Sequence, residues 1–338
     1  MIRVAVDAMG GDQAPATEVG GVAMALRELE PTFAVTLVGQ PAAIERELSR
    51  HGDLDRTRLD VVPAGDVVSM TDKPLSAVRR KPDSSLVVGM RLHQAGRADA
   101  FLSAGNTGAT LAAATVILGL YDGVERATVA SLCPTADGPV LIVDAGANVD
   151  CSARELINFA RLGNIYMRDV VGRAEPRVGL LNVGEEDEKG GAVVRETHRA
   201  LREQPRLHYV GNIEGRDVVV PHPRFGHIDV VVCDGFVGNV MLKFYESMGG
   251  LVDGVIRRDA PGLLRSPELA PLRRFLDISE YGGGPLLGVR GVTIICHGAS
   301  TPRTIRNAIA DAVEAARHGL RDHIEAELAL QPAPHPAA

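Results

Sequence analysis

Seven apolar runs in this sequence end in short turns made of glycine, amide, hydroxyl and acidic residues. They are Asp7-Ala8-Met9-Gly10-Gly11-Asp12, Ser103-Ala104-Gly105-Asn106-Thr107-Gly108, Asp144-Ala145-Gly146-Ala147-Asn148, Asn182-Val183-Gly184-Glu185-Glu186-Asp187, Gly211-Asn212-Ile213-Glu214-Gly215, Asp234-Gly235-Phe236-Val237-Gly238-Asn239 and His297-Gly298-Ala299-Ser300. In a parallel sheet the carboxyl ends of the strands point one way, so the loops beyond them gather where ligands bind. Glycine there lets backbone N–H groups approach an anion, and helices that start there add their positive ends. Ordinary turn chemistry would explain one such loop, but not seven that all follow strands. The first turn does not read Gly-x-Gly-x-x-Gly, and Gly-x-x-x-x-Gly-Lys-Ser/Thr occurs nowhere. A small anion such as phosphate therefore suits these loops better than a dinucleotide or ATP.

Cations stand beside the turns at Lys73, Arg79-Arg80-Lys81, Lys189 and Lys243. Most such side chains are solvated, but Lys189 and Lys243 sit near glycine-rich loops among acids and amides, which favours a role in a site. No Gly-x-Ser-x-Gly is present, and the adjacent Cys296 and His297 would face opposite ways in a strand, so no covalent intermediate is indicated. Asp144, Glu185, Glu186, Asp187 and Asp234 carry oxygens that a metal would accept, yet carboxylates at turns are usually hydrated, and no metal or other cofactor is expected.

The elements that must position these turns follow from periodicity. Strands are expected at Arg3 to Val6, Ala34 to Val38, Leu59 to Val62, Ala98 to Leu102, Val140 to Val143, Val178 to Leu181, His208 to Val210, Ile228 to Cys233 and Val292 to Cys296. Several are apolar on successive residues, as strands covered on both faces are. Helical stripes run from Pro15 to Leu29 and from Thr301 to Leu330. The alternation predicts an α/β fold, a layered and mainly parallel sheet, over residues 1–330 as one unit with two lobes. Asp122 to Arg126 is a candidate crossing between lobes, 257–284 reads as an insertion, and the Pro/Ala-rich residues 331–338 as a disordered tail.

Bulk properties exclude several classes. A net charge of -7, without basic runs, argues against nucleic acid. Asp7 interrupts the start before a signal-peptide core forms, and no apolar run of about 18 residues occurs, so neither secretion nor a membrane span is expected. The four cysteines are widely spaced and read as reduced, mostly buried thiols of a cytoplasmic protein.

These turns, together with Asp72-Lys73-Pro74, Arg79-Arg80-Lys81, Asp83-Ser84-Ser85, Gly146 to Cys151, Gly184 to Gly190, Gly211 to Asp217, Val232 to Asn239 and Tyr281-Gly282-Gly283, resemble the phosphate acyltransferase family over nearly the whole chain. These are the acyl-ACP:phosphate transacylases of bacterial glycerophospholipid synthesis. The family commonly has His at the position of Gln13, Pro at Ala127 and Ala at Gly284, so position 13 receives no catalytic role. The resemblance implies a phosphotransacetylase-like or isocitrate-dehydrogenase-like fold with a cleft between two lobes, and a homodimer. It also implies acyl carrier protein and inorganic phosphate as substrates. Some membrane association is implied as well, because the acyl phosphate passes to a membrane-embedded acyl-phosphate:glycerol-3-phosphate acyltransferase.

For that reaction phosphate is already an anion, so positioning matters more than deprotonation. Gly10, Gly11, Ser103, Asn106 and Thr107 are the expected phosphate or oxyanion donors. Lys189 and Lys243 would balance charge, and His297 would donate a proton to the departing thiolate. Asn148, Asn182, Asn212 and Asn239, with Asp234 beside them, would meet the carbonyl or the pantetheine arm. In 257–284, leucines at 263, 264, 269, 272 and 276 and Phe275 alternate with Arg257, Arg258, Arg265, Arg273 and Arg274. That composition fits an interfacial element on anionic lipid, or equally a dimer contact with snorkelling arginines. Two other functions fit parts of the pattern. A nicotinamide-linked dehydrogenase lacks its fingerprint here, and a non-catalytic acyl-ACP sensor would bind without turnover.

Overall fold

The computed structural model describes residues 1–52, 54–269 and 281–330. In chain order its elements begin with β1 (Ile2–Asp7), α1 (Ala16–Glu28), β2 (Phe33–Gly39), α2 (Pro41–Leu48), β3 (Leu59–Pro63), α3 (Pro74–Arg80), α4 (Ser85–Gln94), β4 (Ala100–Ser103) and α5 (Thr107–Ala113). They continue with β5 (Thr128–Thr135), β6 (Gly138–Val143), α6 (Ala153–Asp169), β7 (Arg177–Leu181), α7 (Ala192–Arg202), β8 (His208–Ile213), β9 (Val230–Val232) and α8 (Gly235–Asp259). Then follow β10 (Gly284–Leu287), β11 (Val292–Ile295), α9 (Pro302–Arg317) and α10 (Leu320–Ala329).

The chain divides into two compact units, Met1–Val129 with Tyr281–Ala338, and Ala130–Glu280. The division falls inside β5 and not in the Asp122 to Arg126 stretch. In the first unit the strands run β3-β2-β1-β4-β11-β10, ending on the first residues of β5. The pairs from β3 through β11 are parallel, and β10 is antiparallel to β11. Val4, Ala5, Val6 and all of β4 are buried, because helices cover both faces. Ala5, Phe101, Leu86, Met90 and Ala109 share one core cluster there.

In the second unit the order is β5-β6-β9-β7-β8, parallel except for the antiparallel β5–β6 pair. Helix α6 starts on a capping box, with Ser152 accepting from Glu155 N and the Glu155 carboxylate returning to Ser152 N. It then buries an almost unbroken run from Leu156 to Met167, which suits a helix covered on more than one side.

All nine expected strands form, with ends moved by one to three residues. Two further strands, β5 and β10, escape the sequence pattern because both carry proline and neither is a simple apolar run. The Gly211 turn lies inside β8 rather than after it, where the β7–β8 register shifts. The expected helix from Thr301 to Leu330 is two helices. Gly319 takes a left-handed conformation (φ 62°) between α9 and α10, a break that apolar spacing cannot report. Of 257–284, Arg257 and Arg258 belong to the last turn of α8, and two one-turn helices follow at Pro261–Arg265 and Pro267–Leu269. Leu272, Arg273, Arg274, Phe275, Leu276 and the tail 331–338 lie outside the described residues. Among those described, no helix is long and apolar enough to cross a membrane.

Helices α1 and α9 pack closely enough that a Cβ on Gly21 would meet the Ile305 side chain and lie 2.7 Å from the Pro302 carbonyl. Gly21→Ala is therefore expected to lower stability by about 1 to 3 kcal/mol, as overpacked cores do. A denaturant midpoint equal to that of the wild type would contradict this packing.

Candidate active site

In the first unit the turns after β1 and β4 are organised by Asp7, the last residue of β1, which is 1% exposed. Its carboxylate accepts from Ser103 Oγ at 2.8 Å and from Met9 N at 3.2 Å, and Ser103 Oγ in turn accepts from Gly105 N at 3.1 Å. Burial pushes the Asp7 carboxyl up, and the Ser85 and Ser103 hydroxyls oppose that shift. Ser103 thus holds two turns together, its hydroxyl donated to Asp7. Gly10 is needed because any Cβ would stand 2.7 Å from Gly105 N, so the two turns touch backbone to backbone.

The carboxyl of Glu18, in the first turn of α1, lies against Gly11. It is fully buried, and neither of its oxygens closes a well-aligned hydrogen bond. Burial raises it to about 7; the amides of Glu18 and Gly11 counter this, while Asp7 and Asp12 add repulsion. The turn expected to receive phosphate therefore has carboxyls behind it, and an anion at Gly10 and Gly11 is opposed once Glu18 ionises. Glu18 gives no signal in the sequence, where it looks like a solvated residue of an amphipathic helix.

Asn106 is also committed to the fold. Its Oδ1 caps α5 through Ala109 N at 3.0 Å, and its Nδ2 donates to the carbonyls of Ser69, Met70 and Asp72. Thr107 is exposed at the start of α5, and its hydroxyl has no partner among the described residues. Exposed His297 follows β11. Ala299 N donates to its Nδ1 at 3.2 Å, so the neutral ring carries its proton on Nε2.

The second unit repeats the device at Asp144, fully buried after β6. Its Oδ1 accepts from Gly146 N and Ala147 N, both at 3.0 Å, and its Oδ2 from Asn148 N and Asn148 Nδ2, both at 2.7 Å. Burial pushes this carboxyl up, and the four donors oppose it. Asn148 is therefore part of the carboxylate's cage. Asp234 caps α8 by accepting from Val237 N at 2.8 Å. Asn182 donates to Lys189 O at 3.2 Å and accepts from Val183 N at 2.8 Å. Asn212 donates to Glu186 O at 3.0 Å, while its own Oδ1 is buried without a partner.

Of the four asparagines expected to meet substrate, only Asn239 keeps its amide free among the described residues. It is exposed in the first turns of α8, with its Oδ1 3.5 Å from where a Gly146 Cβ would stand. Lys189 is exposed and has no ion-pair partner among the described residues. Lys243 lies on α8 with its ammonium 2.7 Å from Glu246, so its charge is already balanced.

Glu185, Asp217 and His222 bring ligand-type atoms within 4.8 Å of one another. They do not suit a metal ion. Arg224 N and Phe225 N both donate to His222 Nδ1, which puts the ring proton on Nε2, the atom that faces Glu185 at 3.4 Å. Asp217 is engaged as a cap by Glu214 N at 2.8 Å, and Arg216 reaches Glu185 at 4.0 Å.

A family model described as fatty acid synthesis protein matches residues 2–322. The phosphate acyltransferase of Heliobacterium modesticaldum is 44% identical over 335 residues, which cover 97% of this chain and 96% of that protein. That of Synechococcus elongatus is 44% identical over 346 residues, covering 99% and 96%. Among solved structures, a phosphotransacetylase from Streptococcus pyogenes aligns with a TM-score of 0.67 at 16% identity, over 94% of each chain. A 4-hydroxythreonine-4-phosphate dehydrogenase from Klebsiella pneumoniae gives 0.50 at 14% identity, over 94% of this chain and 98% of that one. At such identities these two likenesses speak for the fold alone.

Glu18 generates a pH prediction. Its folded-state pKa of about 7 stands above the ordinary 4.5, so folding holds a proton that the unfolded chain has lost in that window. Stability contributed by the proton is full below about 4.5, falls as pH rises towards about 7 and is flat beyond. Relative to wild type, Glu18→Gln should gain up to about 3 kcal/mol between about pH 5 and about pH 8. Parallel stability profiles from denaturant titrations would show that Glu18 does not hold this proton.

Proposed function

The chain belongs to the phosphate acyltransferase family, and from that premise we propose that it moves a fatty acyl group from acyl carrier protein to inorganic phosphate. The phosphate oxygen attacks the thioester carbonyl, the carbon–sulfur bond breaks, and acyl phosphate and the carrier thiol leave. The observation that supports specific roles is the division of polar groups into engaged and free. Lys189, Asn239, Thr107 and the Nε2–H of His297 have no partner within the described chain, whereas Ser103, Asn106, Asn148 and Asn182 are committed to their loops.

In this reading Lys189 neutralises charge on the phosphate and the developing oxyanion, and Asn239 donates to the oxyanion. Thr107 contacts phosphate, and His297 donates a hydrogen bond through Nε2–H to the leaving sulfur, whose proton comes from the attacking hydrogen phosphate. Lys243 is a weaker candidate because Glu246 balances it. The set uses no metal: transfer should proceed with chelator present, and activity that vanishes with chelator and returns with a divalent ion would exclude this mechanism.

Two partner assignments accompany it. Phe236, Val240, Phe244, Leu251 and Val255 form an exposed apolar stripe at helical spacing along α8, which supports a homodimer through that helix. Leu263, half exposed and a few residues along the chain from Arg257 and Arg258, supports a cytoplasmic protein that touches anionic membrane and hands acyl phosphate to a membrane acyltransferase.

Purified protein mixed with acyl-ACP and phosphate should release acyl phosphate and carrier thiol, which a sensor or a dehydrogenase would not do. Lys189→Ala should lower kcat at least about tenfold, the loss of one interaction of about 1.4 kcal/mol, with the fold intact. Unchanged kinetics would remove Lys189 from the site. Glutamate at both Leu263 and Leu264 should release the protein from anionic vesicles while turnover in solution survives. Unaltered sedimentation, or loss of the dimer on size exclusion, would rule out the membrane contact.

A further inference from the structure

The loop that carries Lys189, between β7 and α7, is fixed by side chains that never touch the ammonium group. Helix α7 presents Arg195, His198 and Arg202 to it: Arg195 donates to Gly190 O at 2.5 Å, His198 Nε2 stands 3.1 Å from Asp187 Oδ1, and Arg202 reaches Asp187 Oδ2 at 2.7 Å. Strand β8 contributes Asn212, which donates to the same Glu186 carbonyl that accepts from Lys189 N at 3.1 Å. It also contributes Tyr209, whose hydroxyl is 2.7 Å from His198 Nδ1.

These contacts are not equivalent. The Asp187 and Arg202 side chains are 66% and 60% exposed, and an ion pair so open to water contributes little. His198 is 6% exposed, is packed edge-to-face on Tyr209, and uses both ring nitrogens. An ionised Asp187 only accepts, so Nε2 carries the proton and Nδ1 accepts from the Tyr209 hydroxyl; tautomer and ring orientation are both settled. The Asp187 carboxyl is held below the usual range by His198 first and Arg202 after it, in keeping with that order of importance. A buried group with both ends engaged, gripping a loop two residues from an exposed lysine, is what a preorganised cation requires.

We propose that His198 is a positioning residue for Lys189: through Asp187 it sets where the lysine leaves the backbone, and it makes no contact with substrate itself. The proposal rests on the role of Lys189 given above. Its test is a double-mutant cycle on the full-length protein, with acyl-ACP and phosphate as substrates. His198→Ala should lower kcat about tenfold and change the KM for phosphate by less than about twofold. His198→Gln, whose amide N–H reaches about as far as Nε2, should recover most of the loss. Lys189→Ala/His198→Ala should be no slower than Lys189→Ala, because the histidine acts only through the lysine. Factors that multiply in the double variant, or a wild-type kcat in His198→Ala, would overturn the proposal and leave Lys189 in place. A wild-type rate in Lys189→Ala would overturn both. Should His198→Ala fail to fold, the cycle is run with His198→Asn and Lys189→Ala, with the same expectations.

Discussion

A carboxylate carried by a strand into a buried position must find donors or lose its charge, and this constraint shapes the loops of both units. Removing the partners of a buried ion costs several kcal/mol, far more than one surface contact returns. Asp7 and Asp144 meet the demand in the same way, by drawing the next turn back over themselves. The turn then has little conformational freedom. The glycines at 10 and 146 are consequences of that approach: a side chain at 10 would press on Gly105 N, and residue 146 takes a φ of 137° that favours glycine.

That arrangement decides which polar residues remain available for chemistry. Hydroxyl and amide groups nearest the carboxylates are drawn into the cages or into caps of the following helices, as Ser103, Asn148 and Asn106 are. Thr107 and His297 in the first unit, and Lys189 and Asn239 in the second, stay exposed with no side-chain partner among the described residues. A preorganised site needs both populations, since donors aimed at a transition state help only if they do not reorganise. Asn182 and Asn212 belong to the first population, since their amides hold the loop that carries Lys189.

Glu18 departs from the pattern. It is as buried as Asp144 but has no cage, so burial and the neighbouring acids leave a proton as its readiest partner near neutral pH. Its protonation state sets the charge behind the Gly10–Gly11 turn, which couples that turn to pH.

The alternation of strands and helices, the mainly parallel sheet and the positions of most of the turns were legible in the sequence, because those follow from local periodicity and turn chemistry. The motifs in those turns also identified the family, since seven such segments in order are specific. Which polar residues are free came from the fold. Asn239 and Asn148 read alike in sequence, yet one is open and the other closed on Asp144, because hydrogen-bond partners come from folding and not from spacing. The antiparallel strands β5 and β10 and the break at Gly319 were hidden for the same reason: their pairing and dihedral angles depend on distant chain. So were Glu18 and His198, ordinary helix residues in the sequence, whose burial comes from packing against other elements.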